Sequence, residues 1–200
     1  MKEDSIIPFQ YEGALSDTAS HRHFSKATEA NDFFSILKKR LLDVNNWQQL
    51  SGSTFAAFQL YDLYGHPVSR PAAEGDYFRI DLPAPGNPSG DGYDWVQVEK
   101  IQNLSTDDQS ILAMTVRPCT SPVSKDDDVA HFFTEAASST FIVRKKELTV
   151  SAEVHGRNEK PNIKHVDVSD TIRNTAIALG SIFGFSKIQW QALTDGMTSD

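Results

Sequence analysis

Cysteine is nearly missing from this sequence. Cys119 stands alone among 200 residues, which excludes an intrachain disulfide, a thiolate metal cluster and a CxxC redox pair. Long apolar runs are missing as well: stretches such as Phe55-Ala56-Ala57-Phe58 and residues 176–179 fall far short of the roughly 18 residues that a membrane-spanning helix requires. Basic charge is in deficit. The 19 Lys and Arg against 27 Asp and Glu leave a net charge of −8, without the basic footprint on which binding to a phosphate backbone rests. Neither nucleic acid nor a membrane is therefore an expected partner. The start, Met1-Lys2-Glu3-Asp4-Ser5-Ile6-Ile7-Pro8, holds acids where a secretory leader holds cations, so the protein is expected in the cytoplasm. No repeat of 20–50 residues, which would signal a solenoid or propeller, is found. GxSxG, HExxH, GxxxxGK[ST] and GxGxxG are all absent, and no cofactor is expected.

What remains is an acidic chain with 39% hydrophobic residues, enough for one packed core at this length. A single domain over 1–200 is expected, with residues 1–25 as a loosely ordered N-terminal segment. Residues 6–11 read as a short first strand kept at an edge by Pro8, and 13–22 as a loop. From about Thr28 the apolar period becomes helical. Phe33, Leu37, Leu41 and Val44, widened by Phe34 and Leu42, form a stripe with Lys38, Lys39 and Arg40 on the wet side. This helix ends at Asn45-Asn46, and Trp47 follows.

Strands are predicted over 54–62, 77–82, 93–101 and 110–117 from period-two alternation and the turn residues between them. Residues 83–92 hold three prolines and three glycines, a stiff loop that suits a lid over a pocket mouth or a plain surface connection. Val129, Phe132, Phe133 and Ala136 predict a short helix, although 130–133 also suits the start of a strand. A hairpin follows over 140–145 and 148–155. A final helix capped by Asp167 or Ser169 carries Ile172, Ala176, Leu179 and Phe183 and stops at Gly184. Ser186 to Gln189 fits a capping box that opens a last short helix, closed by Gly196.

The predicted class is α+β: a single curved antiparallel sheet of about six strands packed on a long C-terminal helix. This order of elements, with residues 32–50 ending Asn45-Asn46-Trp47, resembles the helix-grip plan of the START and polyketide-cyclase-like superfamily. The resemblance implies a sheet curved around a C-terminal helix and an apolar cavity between them.

Several side chains are candidates for a ligand site. His155-Gly156-Arg157-Asn158-Glu159-Lys160-Pro161-Asn162 is rich in hydrogen-bonding groups at the end of a strand. Arg157 can grip an anion, and His155 or Glu159 can move a proton. With Val154 on the apolar face and His155 on the other, Gly156 lets the chain change direction so that Arg157 faces inward at the polar rim of a pocket, unless the segment only closes a turn. Arg79, Trp95 and Arg117 lie within strands. Facing inward they would form, with Trp47, the polar end of an aromatic pocket; facing outward they would cover the solvent side. His131 and Glu135 would share a helical face, but no third ligand completes a metal site. The sequence thus supports a binding protein for a small, partly apolar molecule held between sheet and C-terminal helix. An acid-base enzyme (lyase, cyclase or hydrolase) using His155, Glu159 or His131, and an interaction protein with a filled core, are the alternatives.

Overall fold

The computed structural model describes residues 6–82, 88–124, 127–162 and 171–200; within 171–185 it describes the backbone path alone, save at the exposed Gly184. Strand β1 (Ala14–His23) is followed by helix α1 (Ala27–Leu42), a 3-10 turn (Val44–Asn46) and the short α2 (Trp47–Ser51). Then come β2 (Ala57–Tyr61), β3 (Tyr77–Asp81), β4 (Asp94–Ser105), β5 (Gln109–Pro118), β6 (Ser138–Lys146), β7 (Thr149–Glu159) and the helix α3 (Thr171–Thr198). All seven strands form one antiparallel sheet in the order β1-β7-β6-β5-β4-β3-β2.

Alternation divides the sheet into two chemically different faces. The inner face carries Phe58, Leu60, Phe78, Ile80, Val96, Val98, Leu112, Met114, Val116, Phe141, Val143, Val150, Ala152 and Val154, packed against Phe33, Phe34, Leu37 and Leu41 of α1. Trp47 sits at its centre, fully buried. Its ring centroid lies 5.3, 5.7 and 4.7 Å from those of Phe58, Phe78 and Phe141, and its indole N–H donates to the Arg40 carbonyl at 3.0 Å. Trp190 of α3 closes this cluster from above, on Phe58 and Phe141.

Four sequence expectations are corrected here. The first strand is 14–23 rather than 6–11. Ser16, Thr18 and Ser20 of its inner side are all hydroxyl residues, and Ser20 meets α3 through its hydroxyl (Ser20 Oγ to Thr194 Oγ1, 3.1 Å), so no apolar alternation announces it. Ile6 and Ile7 instead lie on Ile111, Ala113 and Ile142 of the outer face. Residues 130–137 form no helix. Their backbone is tied to its neighbours, with Trp95 N–H donating to Ala130 O at 2.7 Å and Thr134 N–H to Lys160 O at 2.9 Å, and a bridge joins Phe133 and Pro161. His131 and Glu135 therefore share no helical face.

Gly184 does not stop the last helix, which runs unbroken from Thr171 to Thr198. An interior helical glycine costs only about 1 kcal/mol, less than the burial of Trp190, Leu193 and Met197 beyond it returns. Gly196, expected to close a short helix, is instead a contact point: a Cβ there would collide with the Leu50 carbonyl of α2. Ile172, Ala176, Leu179, Phe183, Asp167, Ser169 and the loop core 83–87 lie outside the described side chains.

Candidate functional site

Two regions of this architecture concentrate polar and charged side chains. The first is an open groove of about 880 Å³ between the C-terminal half of α1 and the distal, inner-facing parts of β4 and β5. Leu42, Leu112 and Pro71 give it an apolar floor, Asn103 a polar flank, and Lys38 and Lys39 a cationic rim. Its far wall is rigid. Arg70 donates to Asp76 through both terminal nitrogens at 2.6 and 2.8 Å, and Asp76 accepts the Ala73 N–H at 2.8 Å. Asn45 ties the end of α1 to β2, donating to Val68 O at 2.8 Å and accepting the Leu60 N–H at 2.7 Å. The two lysines differ from Arg70: among the described residues neither has an ion pair, and the Lys38 ammonium rests 5.1 Å over the Phe34 ring.

The second region is the end of β7. His155 and Arg157 face outward, opposite Asp17 of β1. The His155 ring donates to Asp17 at 2.6 Å and to Glu153 at 3.1 Å, while Arg157 donates to Asp17 at 2.8 Å. Arg144 and Ser151 complete the row by donating to Glu153 at 3.0 and 2.7 Å. Burial opposes ionisation of Glu153, but the hydrogen bonds from His155, Ser151 and Arg144 outweigh it and hold the carboxyl at about 2. For His155 burial works against the imidazolium, yet the bonds to Glu153 and Asp17 prevail and raise its pKa. Cation and anion alternate along this row, so its charges are largely satisfied internally.

Asn158 has a left-handed backbone (φ 56°), and the pairing slips there, with Ser16 opposite Gly156 but Ala14 opposite Glu159. This bulge turns Glu159 to the inner face. Its carboxyl lies over Gly156, where a Cβ would collide with it and with the Ser16 hydroxyl. Burial pushes the Glu159 carboxyl above its ordinary range, against the opposing bond from Ser16 at 2.9 Å.

The other sequence candidates are dispersed. Trp47 is core. Arg79 lies over the Tyr93 and Tyr61 rings of the outer side at 4.2 and 5.9 Å, and Trp95 is buried edge-on against Tyr61. Arg117 donates to Glu99 at 2.8 Å and to Ala136 O at 3.1 Å. The pocket end that these three would make with Trp47 is not formed, because odd-numbered positions of β3, of β5 and of the start of β4, where Trp95 pairs with Arg79, face outward. Arg157 likewise faces away from the inner side. His131 is buried and neutral. Burial lowers its pKa to about 3 while its Nδ1 accepts the Phe133 N–H at 2.9 Å, so it has no proton to give near neutrality. Lys38, Lys39, Asn103 and Leu112 went unnoticed in sequence because helix-end lysines read as a solvated face. Only the fold brings them to one groove.

The arrangement can be set beside known proteins. A chain that inserts two helices between β1 and β2, orders its sheet 1-7-6-5-4-3-2 and lays a long C-terminal helix against it follows one plan. This is the helix-grip fold. No family model matches the sequence, and no curated protein matches it. Among solved structures, a hypothetical protein from Helicobacter pylori aligns over 97% of this chain and 93% of its own, at 11% identity and a TM-score of 0.51. A START superfamily protein from Mycobacterium smegmatis aligns over 91% of this chain and 100% of its own, at 12% identity and a TM-score of 0.34. The di-domain ARO/CYC protein BexL aligns over 93% of this chain and 51% of its own, at 10% identity and 0.36. The helix-grip likeness is one of fold; what this chain binds rests on its own side chains.

Proposed function

We propose that this helix-grip chain binds a small, partly apolar molecule with an acidic group in the groove between α1 and the sheet. The single observation that carries this is the groove itself. Its volume of about 880 Å³ lies within the roughly 300–1,000 Å³ of ligand sites, and its lining sets the apolar floor of Leu42, Pro71 and Leu112 among polar side chains, with Asp43 beside the two lysines. The apolar body lies on Leu42, Leu112 and Pro71. The acidic group turns to Lys38 and Lys39, whose charges no described side chain neutralises. Asn103 orients a neutral polar atom. The fixed Arg70–Asp76 pair and Asn45 hold the wall, so little ordering cost accompanies binding. Between β2, β3 and β6 the inner face is filled by Trp47 and Trp190, which supports a site on the groove side.

Native mass spectrometry of freshly purified protein tests this. The expected result is a co-released acid of small-molecule mass from the unaltered chain, lost from the double variant Lys38→Glu, Lys39→Glu at unchanged melting temperature. Equal retention by the double variant overturns the assignment.

A further inference from the structure

Ser16, Thr18 and Glu159 share the inner face at the end of the sheet opposite the groove. We propose that they form a separate site for a small molecule carrying a primary ammonium group. The inference rests on a different observation from the groove and stands without it.

The observation is a set of buried acceptors with too few donors. Glu159 is 3% exposed, and its carboxyl, which can accept about four hydrogen bonds, receives one among the described residues, from Ser16 Oγ. The hydroxyl of Thr18, on a residue 5% exposed, has no hydrogen-bond partner among the described residues. The described neighbouring cations are spent elsewhere: Arg157 is on the outer face against Asp17, and Lys160 reaches Glu12 at 3.2 Å. The chain also goes to some length to put a carboxylate here. It takes a left-handed Asn158 to turn Glu159 inward and a glycine at 156 to seat its carboxyl.

What the site wants is donors with positive charge. An ammonium supplies three donors and no acceptor. One N–H goes to the free oxygen of Glu159 and one to the lone pair that Ser16 Oγ keeps after donating its own hydrogen. The body of the ligand then runs along β1 past Thr18, one side-chain pair further along the same face. A carboxyl pushed up by burial regains its charge when such a cation arrives.

The test is an amide-resolved NMR titration of the full chain at pH 7 with 2-phenylethylamine, and in parallel with the neutral 2-phenylethanol. The expected result is saturable shifts at the Ser16, Thr18 and Gly156 amides with the amine, and binding weaker by about tenfold or more with the alcohol. Glu159→Gln, which keeps the shape and loses the charge, weakens the amine by about tenfold or more, and Thr18→Val by a few-fold. Equal binding of amine and alcohol, no saturable shift, or undiminished amine binding to Glu159→Gln overturns the proposal. The amine-against-alcohol comparison needs no variant, so it holds even if a substitution unfolds the chain. Shifts confined to Lys38, Lys39 and Leu112 overturn this site while leaving the groove intact.

Discussion

Asn158 holds Tyr11 across the length of the chain: its Oδ1 accepts the Tyr11 N–H at 2.9 Å. The same side chain accepts the Glu12 N–H at 3.2 Å and donates to Phe9 O at 3.0 Å, while its backbone N–H donates to the Gln10 side chain at 2.8 Å. One residue thereby fixes the N-terminal segment that carries Ile6 onto the outer face. Asn158→Gly keeps the left-handed backbone and loses the side-chain bonds, whereas Asn158→Ala loses both. Chemical denaturation is expected to show a loss of about 2–3 kcal/mol for glycine and about 1 kcal/mol more for alanine. Exchange of the Tyr11 and Glu12 amides should accelerate in both. Unchanged protection of these amides contradicts the pinning role.

Gly156 is required by what lies over it rather than by its own backbone angle. Gly156→Ala is expected to cost about 1–3 kcal/mol, as overpacking does. In the background of Glu159→Ala the same change should cost less, because the clashing carboxyl is gone, and a double-mutant cycle reads that coupling. Strict additivity sinks this explanation of the glycine.

Two histidines give the stability curve opposite slopes. His131 is held at about 3, so below its unfolded value near 6.5 the unfolded chain binds a proton that the fold refuses, and stability falls as pH drops from about 6.5 toward 3. His155 is raised, so its contribution is complete below 6.5 and is lost as pH rises through its folded value. Each slope is about 1.4 kcal/mol per pH unit at most. Denaturation at pH 5.5 to 6.5, above the range where an unfolded Glu153 with its ordinary value of 4.5 takes up protons, should show a smaller slope in His131→Gln. Measurements from pH 6.5 upward should flatten in His155→Gln.

Cys119 is a half-buried thiol. Burial pushes it up to about 12, against an ordinary value of 9.0, and only the thiolate reacts. At pH 8 a disulfide reagent should modify the native chain at least about tenfold more slowly than the chain in denaturant. Comparable rates would mean that the thiol is accessible and ionised.

Elements with an apolar signature were legible in the sequence. Phe33, Phe34, Leu37 and Leu41 foretold α1, and Val150, Ala152 and Val154 foretold the inner face of β7. From such elements the helix-grip order followed. Elements held by backbone pairing and hydroxyls were not legible: β1 carries Ser16, Thr18 and Ser20 where apolar residues would have marked its buried face. Period-two reasoning also cannot say which face of a sheet is inside. Arg79, Arg117 and Arg157 were correctly placed in or near strands, and their direction was left to the fold. The bulge at Asn158 shows the same limit at one residue, since simple alternation sends Glu159 outward and the extra residue turns it in. Lys38 and Lys39 gain meaning only beside Asn103 and Leu112, which lie far away in sequence and adjacent in the groove.

The claim that the groove beside α1 is the binding site is tested most directly by mapping one amphipathic acid onto the protein. Titration of isotope-labelled protein with 8-anilinonaphthalene-1-sulfonate should give saturable shifts at Lys38, Lys39, Leu42, Asn103 and Leu112, weakened by about tenfold or more in Lys38→Glu, Lys39→Glu. Saturable shifts that leave these residues untouched, or an affinity indifferent to the two lysines, would contradict it.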